Sequence, residues 1–375
     1  MIFDIREITT RKELRRFCRF PLRLYKNCPQ YVPTLVFDEV NSIFDSPCMS
    51  YCKRKILIAC DQKGQIAGRI VGIINPRANQ LYNYKRVRFG WFDVIEDFEV
   101  ARALIDAIAA WGRSQGMDQI HGPLGYNTWY KQGMLVEGFE NIPQFNCIYN
   151  YAYYPGFLEK LGFIKEVDWL QYIMPAKQPI PDKVERLNDV ILKRYNLHLL
   201  KWKSPKDFQP YLDDFFKMYN RSFMAVYNFI PLTPEEIKAN AGFYMKLITP
   251  SLSSFVMNEN NQVVAFSICF PSLSKALQKA RGYLFPFGWF HLLKAFLFYK
   301  DIDLMLNGAH PEWKGRGLSS IYHYKTNHTA IKRNLRWAVT NPQIESNHAI
   351  DVWKEYDTRL YMRRRCYIKN IDTKK

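Results

Sequence analysis

No stretch of roughly eighteen consecutive apolar residues occurs in the sequence, so it carries no signature of a membrane-spanning helix. Of eight cysteines only Cys48 and Cys52 lie close together, with no second pair or histidine spaced to complete a zinc site. Free thiols in a reducing cytosol, and no metal, are therefore expected. The start, MIFDIREITTRKE, is charged from residue 4 and has no signal-peptide pattern, which predicts a cytoplasmic protein. Helix-turn-helix, zinc-spacing and RNP-like aromatic signatures are absent, which counts against a nucleic-acid binding or regulatory protein; charge alone is nonspecific. Acidic residues are scarce beside basic ones, 35 against 53, and the net charge of +18 calls for an anionic partner or merely coats the surface.

What is present is a packed globular chain. At 375 residues, 48% hydrophobic and 16% aromatic, it has material for two domains with substantial cores. The two halves share a plan. Ile2–Ile8 alternates as a strand, and Thr10-Arg11-Lys12-Glu13 reads as a capping box opening a helix. Half a chain later Leu197–Trp202 is again a strand candidate, and Ser204-Pro205-Lys206-Asp207 again a helix start. Ile56–Ala59 and Gln65–Ile74 form a strand pair around Lys63-Gly64, matched by Ser254–Met257 and Val263–Phe270. Phe98–Ser114 has helical period with Val100, Leu104, Ile108 and Trp111 on one face, followed by a strand at Gln119–His121. Each half closes with a further helix and strand region, Tyr153–Lys165 and Asn347–Ile368. The run Pro175-Ala176-Lys177-Gln178-Pro179-Ile180-Pro181 has too many prolines for a helix or central strand and reads as the linker between lobes 1–178 and 179–375.

The chemistry concentrates at Asp301–Lys332. Ile302–Leu306 reads as a strand, and the turn Lys314-Gly315-Arg316-Gly317-Leu318-Ser319 leads into a helical segment from Ser319 to Lys332. Such a turn aims unpartnered N–H groups and the positive end of the helix dipole at an approaching anion, a diphosphate by size. A nucleoside-triphosphate loop would need Lys-Ser or Lys-Thr after the last glycine, where Leu318 and Ser319 stand.

This turn resembles the acyl-coenzyme A loop of the GNAT (GCN5-related) N-acyltransferases, whose pattern is Arg or Gln, two residues, Gly, one residue, Gly or Ala. Lys314, Gly317 and Ser319 occupy its three places, after a strand exit Ala309-His310-Pro311-Glu312-Trp313. Lysine keeps the charge and serine stays small. Further segments, Tyr25-Lys26 with Pro29, Tyr31-Val32-Pro33, Leu35 and Asp38, then Gly122-Pro123-Leu124-Gly125, Gly133–Phe139 and Tyr153-Tyr154-Pro155, resemble a bacterial subgroup of two-lobed GNAT proteins that includes ceramide synthase-like proteins. The resemblance implies an α/β fold with mixed sheets in two tandem GNAT-like lobes. Lobe 1–178 lacks the cofactor loop, and lobe 179–375 keeps it. It implies an N-acyltransferase using an acyl-CoA or acetyl-CoA thioester on an amine, the subgroup pointing to a sphingoid base or other amphiphile.

Acyl transfer to an amine needs a held thioester, a deprotonated amine, donors for the developing oxyanion and a proton for the thiolate. The resemblance assigns Ala309, Lys314, Gly315, Arg316, Gly317, Leu318, Ser319 and Asn347 to the cofactor. His310 is the candidate base, since histidine has an intrinsic pKa of ~6.5; a strand-end histidine satisfied by backbone is the alternative. Glu312 and Glu345 are fallback bases, or solvated surface carboxylates. The family pattern Asn-x-x-Ala-x-x-x-Tyr, laid on Asn347, puts Trp353 at the acid, and indole cannot serve. Tyr356 is the substitute, unless it is a buried aromatic without a chemical role. In the first lobe Ile95-Glu96-Asp97-Phe98 puts two carboxylates and no glycine where a diphosphate would sit, implying lost cofactor binding. Gly122–Tyr130 and Tyr153-Tyr154 are then left to shape an acceptor site.

About thirty residues separate the strand ending near Phe270 from that at Ile302, where a tight hairpin is typical. They include Tyr283–Phe298, with a helix from Trp289 apolar nearly all round, so it is either buried or lies on a membrane or acyl chain. Basic flanks Lys275, Lys279, Arg281 and Lys300 favour an anionic membrane surface, giving a protein peripheral on the inner face of the membrane. A Fem-type transferase using aminoacyl-tRNA also fits the charge, but that group does not need the coenzyme A loop.

Overall fold

The structure, a computed structural model, describes residues 3–179, 182–347, 350 and 356–371. Two compact units divide the chain within one strand, at Leu170/Gln171. Unit 1 runs up to Leu170 and also takes Leu273–Leu293 and the chain from Tyr361 onward; unit 2 holds Gln171–Ser272 and Lys294–Leu360.

In chain order the first half supplies β1 (Asp4–Glu7), α1 (Arg11–Leu24), α2 (Val36–Phe44), β2 (Lys53–Cys60), β3 (Ile66–Ile74), α3 (Pro76–Leu81), β4 (Arg86–Val94), α4 (Phe98–Ser114), β5 (Gln119–Gly122), β6 (Met134–Glu137), α5 (Tyr153–Lys160) and β7 (Ile164–Pro175). The second supplies α6 (Asp182–Arg194), β8 (His198–Leu199), α7 (Pro205–Phe208), α8 (Leu212–Ser222), α9 (Pro234–Leu247), β9 (Ser254–Met257), β10 (Val263–Pro271), α10 (Ser274–Ala280) and α11 (Gly288–Leu297). It ends with β11 (Asp301–Ala309), α12 (Leu318–Lys332), β12 (Trp337–Thr340), β13 (Gln343–Ile344) and β14 (Arg359–Asn370).

Unit 1 is built on an antiparallel run β1-β2-β3-β4, then β5 parallel to β4 and β14 antiparallel to β5. The capping box at Thr10 and Glu13 starts α1. Helix α4 lays the expected face on β3: Val100, Leu104 and Ile108 are fully buried, Trp111 partly. Each such burial contributes about 1.5–3 kcal/mol. The contact is close because β3 presents Gly68, where a Cβ would lie 2.7 Å from Val100 Cγ1. On the other side α1 and α2 enclose Arg69, which binds Glu39 at 3.0 Å and Asp93 at 2.7 Å. The Tyr25 hydroxyl donates to Asp93 at 2.9 Å while its ring stacks on Tyr31 at 4.4 Å. The motif residues between Tyr25 and Asp38 thus surround a buried ion cluster.

Unit 2 repeats the scheme. β8-β9-β10-β11 are antiparallel, β12 is parallel to β11, and Ile173–Pro175 of β7 run antiparallel to β12. Each unit thus shows the plan anticipated for each half, but takes its closing strand from the other half of the sequence. The hydrophobic pattern of a strand specifies its faces, not the edge it pairs with. Helix α12 packs Leu318 and Ile321 against Ile191 of α6 and Val256 and Val264 of the sheet.

Candidate functional site

The site is assembled at the end of β11. Its pairing with β12 stops at Leu304 opposite Thr340, closed by the Asn341 N–H donating to the Leu304 carbonyl at 2.8 Å. Among the described residues, the strand from Leu306 to Ala309 is paired through β10 alone. Its second edge is left beside a cleft of about 40 Å³. Leu304, Asn307, Ser267 and Ala338 of the sheet, His323, Thr326 and Asn327 of α12, and Tyr356 line that cleft, with Met174–Ala176 and Gln178. The proline-rich run is therefore partly wall: the Gln178 N–H donates to Asn327 Oδ1 at 2.9 Å, and Asn327 Nδ2 returns a bond to the Gln178 carbonyl at 2.7 Å.

The glycine turn follows. Gly315 has φ +77° and Gly317, the residue capping α12, φ +76°, both left-handed. No side chain caps this helix, and among the described residues the N–H groups of Gly315, Arg316 and Gly317 donate to no backbone carbonyl. A Cβ at Gly315 would meet nothing within 4 Å, and residues 314–317 are exposed. Arg316 is held over the Trp313 ring at 4.8 Å and the Tyr195 ring at 5.4 Å, so a cation is fixed beside the open helix end. Leu318 is buried and anchors the first turn. Open donors, a cation and the dipole fit a diphosphate. Asn307 Oδ1, buried in the cleft wall without a partner among the described residues, fits an amide or amine N–H.

The other sequence candidates divide into two groups. His310 closes β11: its N–H donates to the Val264 carbonyl at 2.8 Å, and Nδ1 accepts weakly from the Glu312 N–H at 3.4 Å. Glu312 Oε2 lies 3.9 Å from the same nitrogen, on a side chain 81% exposed. Ser222 Oγ donates to the Ala309 carbonyl at 2.9 Å. His310 and Glu312 do not line the cleft, whereas Tyr356 does. Glu345 and Asn347 are exposed, the Asn347 N–H donating to the Ile344 carbonyl at 2.9 Å. Trp353 and most of the pattern around it, residues 348–349 and 351–355, lie outside the described residues.

Sequence reasoning missed His323 and Asn307. The ring centroid of His323 is 6.2 Å from that of Tyr356, and burial pushes its pKa down to about 4. Five residues after Leu318, on the helix that follows the glycine turn, it shares the sheet-facing side with Thr326 and Asn327; that helical spacing was its only signal. A ring kept neutral in the fold makes stability pH-dependent. The contribution is fully present above ~6.5 and is lost as pH falls toward about 4, by about 3 kcal/mol. His323→Gln should flatten that part of the stability-against-pH curve, measured by urea unfolding; an unchanged slope counts against the neutral ring.

Among the described residues, unit 1 has no counterpart to the open site. β4 leaves β5 after Arg88, but there the Leu124 N–H donates to the Phe89 carbonyl at 2.8 Å. The Tyr154 hydroxyl accepts from the Val94 N–H at 2.8 Å, and the Tyr153 hydroxyl donates to the Val94 carbonyl at 2.7 Å. Asp97 Oδ1 caps α4 by accepting from the Glu99 N–H at 2.9 Å. Both the strand edge and the helix end are occupied by the unit's own atoms.

No family model matches the chain. Protein YghO of Escherichia coli (strain K12) is 27% identical over 291 residues, covering 77% of this chain and 73% of the relative. Bacterial ceramide synthase of Caulobacter vibrioides (strain NA1000 / CB15N) is 23% identical over 301 residues, covering 76% and 74%. A solved tandem GNAT protein from the clavulanic acid biosynthesis pathway matches with a TM-score of 0.59 at 10% identity, covering all of both chains. The fold is that of tandem GNAT proteins, an α/β architecture of mixed sheets.

Proposed function

We propose that this chain, with its tandem GNAT fold, transfers an acyl group from an acyl-CoA thioester to the amine of an amphiphilic acceptor, a sphingoid base being the leading candidate. The observation that carries the reading is the edge of β11 that no described residue pairs with, leading to a helix end without a side-chain cap and with two left-handed glycines before it. Gly315–Ser319 would hold the diphosphate through backbone N–H groups, with Lys314 and Arg316 supplying charge. When bound, coenzyme A supplies an activated acyl group.

The chain's own groups then take the remaining tasks. Backbone N–H groups on the free edge at residues 306–309 suit a developing oxyanion. To act as the base, His310 Nδ1 would release the weak bond it accepts from the Glu312 N–H and take the amine's proton there. A proton received there sits 3.9 Å from the Glu312 carboxylate. Tyr356, in the cleft, donates to the departing thiolate. The ceramide synthase relative supports a lipid amine, as does an apolar segment preceding β11 in sequence. The test is acylation of sphinganine set against short polyamines and lysine peptides with one acyl-CoA. We expect sphinganine to be preferred at least tenfold in kcat/KM, about 1.4 kcal/mol. A preference for the polar amines would remove the amphiphile and leave acyl transfer standing.

A further inference from the structure

The segment between β10 and β11 buries its first helix but leaves eight large apolar side chains in water between Tyr283 and Phe298. Phe285 is 79% exposed, Phe298 73%, Phe287 72%, Leu297 58% and Phe290 52%, and Trp289, Leu293 and Tyr283 are exposed as well. A patch this aromatic, in one continuous stretch, is more than scattered surface hydrophobicity. Nor is it loose chain. Ser274 Oγ at the start of α10 donates to the Pro143 carbonyl at 2.7 Å, and Gln278 Nε2 donates to the carbonyls of Pro29 at 2.7 Å and Tyr31 at 3.2 Å. The Gly282 carbonyl accepts from the Val36 N–H at 2.9 Å, at the start of α2. Unit 1 thus holds the base of the segment, and Trp289 Nε1 donates to the Pro286 carbonyl at 2.9 Å, bracing its outer turn.

Charge selects the occupant. From Ser272 to Lys300 there is no Asp or Glu, while Lys275, Lys279, Arg281, Lys294 and Lys300 are all exposed. A second copy of this face would set like charges against each other. An anionic surface with an apolar interior complements both the cations and the rings. Helix α11, ten residues and roughly 15 Å long, is too short to cross a bilayer and suits lying in its interface.

We infer that Tyr283–Phe298 docks the protein on an anionic lipid bilayer, aromatic side chains entering the interface and the flanking cations meeting headgroups. The proposal stands on this segment and does not depend on the acyl-transfer chemistry. It is tested by flotation of the full chain with phosphatidylcholine vesicles, with and without about a third phosphatidylglycerol. The expected result is binding to the anionic vesicles that weakens about tenfold when salt rises from about 0.1 to about 0.5 M. The triple variant Phe285→Ser, Phe287→Ser, Phe298→Ser and the double variant Lys279→Glu, Lys294→Glu should each lose about tenfold in partitioning. Thermal melts check that the fold is retained, and if the triple variant melts early the charge variant decides alone. Absence of flotation, or equal flotation of wild type and the charge variant, overturns the proposal. So does a dimer in light scattering that the triple variant dissolves, which would make the patch a protein interface.

Discussion

Gly317→Val is expected to weaken coenzyme A binding about 100-fold in calorimetric titration, or about 2.7 kcal/mol. Gly317 sits at φ +76° as the cap of α12, and a β-branched residue is strongly disfavoured there. The new Cβ would also come within 2.9 Å of Ile191 Cδ1, the movable end of a side chain. Ile191 can yield to that contact, whereas the positive φ is relieved only by moving the backbone, which redirects the N–H groups of Gly317 and Leu318. Gly315→Ala separates this from bulk: it too stands at φ +77°, but its Cβ would point into open space. We expect a smaller loss there, about tenfold, by the same redirection of donors. Unchanged affinity in Gly317→Val, with a thermal melt showing the substitution is accommodated, would remove the diphosphate from this turn.

Much of this geometry was legible because it is local. The glycine turn announces itself by residue type, since left-handed backbone needs glycine, and the capping box at Thr10 and the helix start at Ser204-Pro205 follow from local residue chemistry alone. The period of Phe98–Ser114 gave α4 to the residue because a helix with one buried face repeats every few positions. By contrast Leu197–Trp202 shrank to a two-residue strand at His198–Leu199.

The illegible parts are pairings. Nothing in the alternation of Arg359–Asn370 tells that its far end lies beside β5, or that Ile173–Pro175 lie beside β12. The cleft wall of Gln178 and Asn327 depends on an amide pair 149 residues apart in sequence. His323 was invisible for a related reason: a histidine on a helix becomes a cleft residue only when the strands facing it diverge. The exposed state of Tyr283–Phe298 was equally undetermined, because an all-apolar helix reads the same buried or on a surface.

His310→Ala should lower kcat about 100-fold with little change in KM for the thioester, the range for loss of a general base. The ring stands at the end of β11, its backbone fixed by Val264 and its Nδ1 facing Glu312, so the substitution removes a proton acceptor without touching the glycine turn. Glu312→Gln is the finer probe. Its carboxylate is 81% exposed and screened by water, so its loss should cost only about twofold to threefold in kcat. His323→Gln sharpens the assignment, because that imidazole lines the cleft and His310 does not. Full turnover in His310→Ala, with turnover lost in His323→Gln, would move the base to α12. Retention in both variants would leave proton removal to solvent.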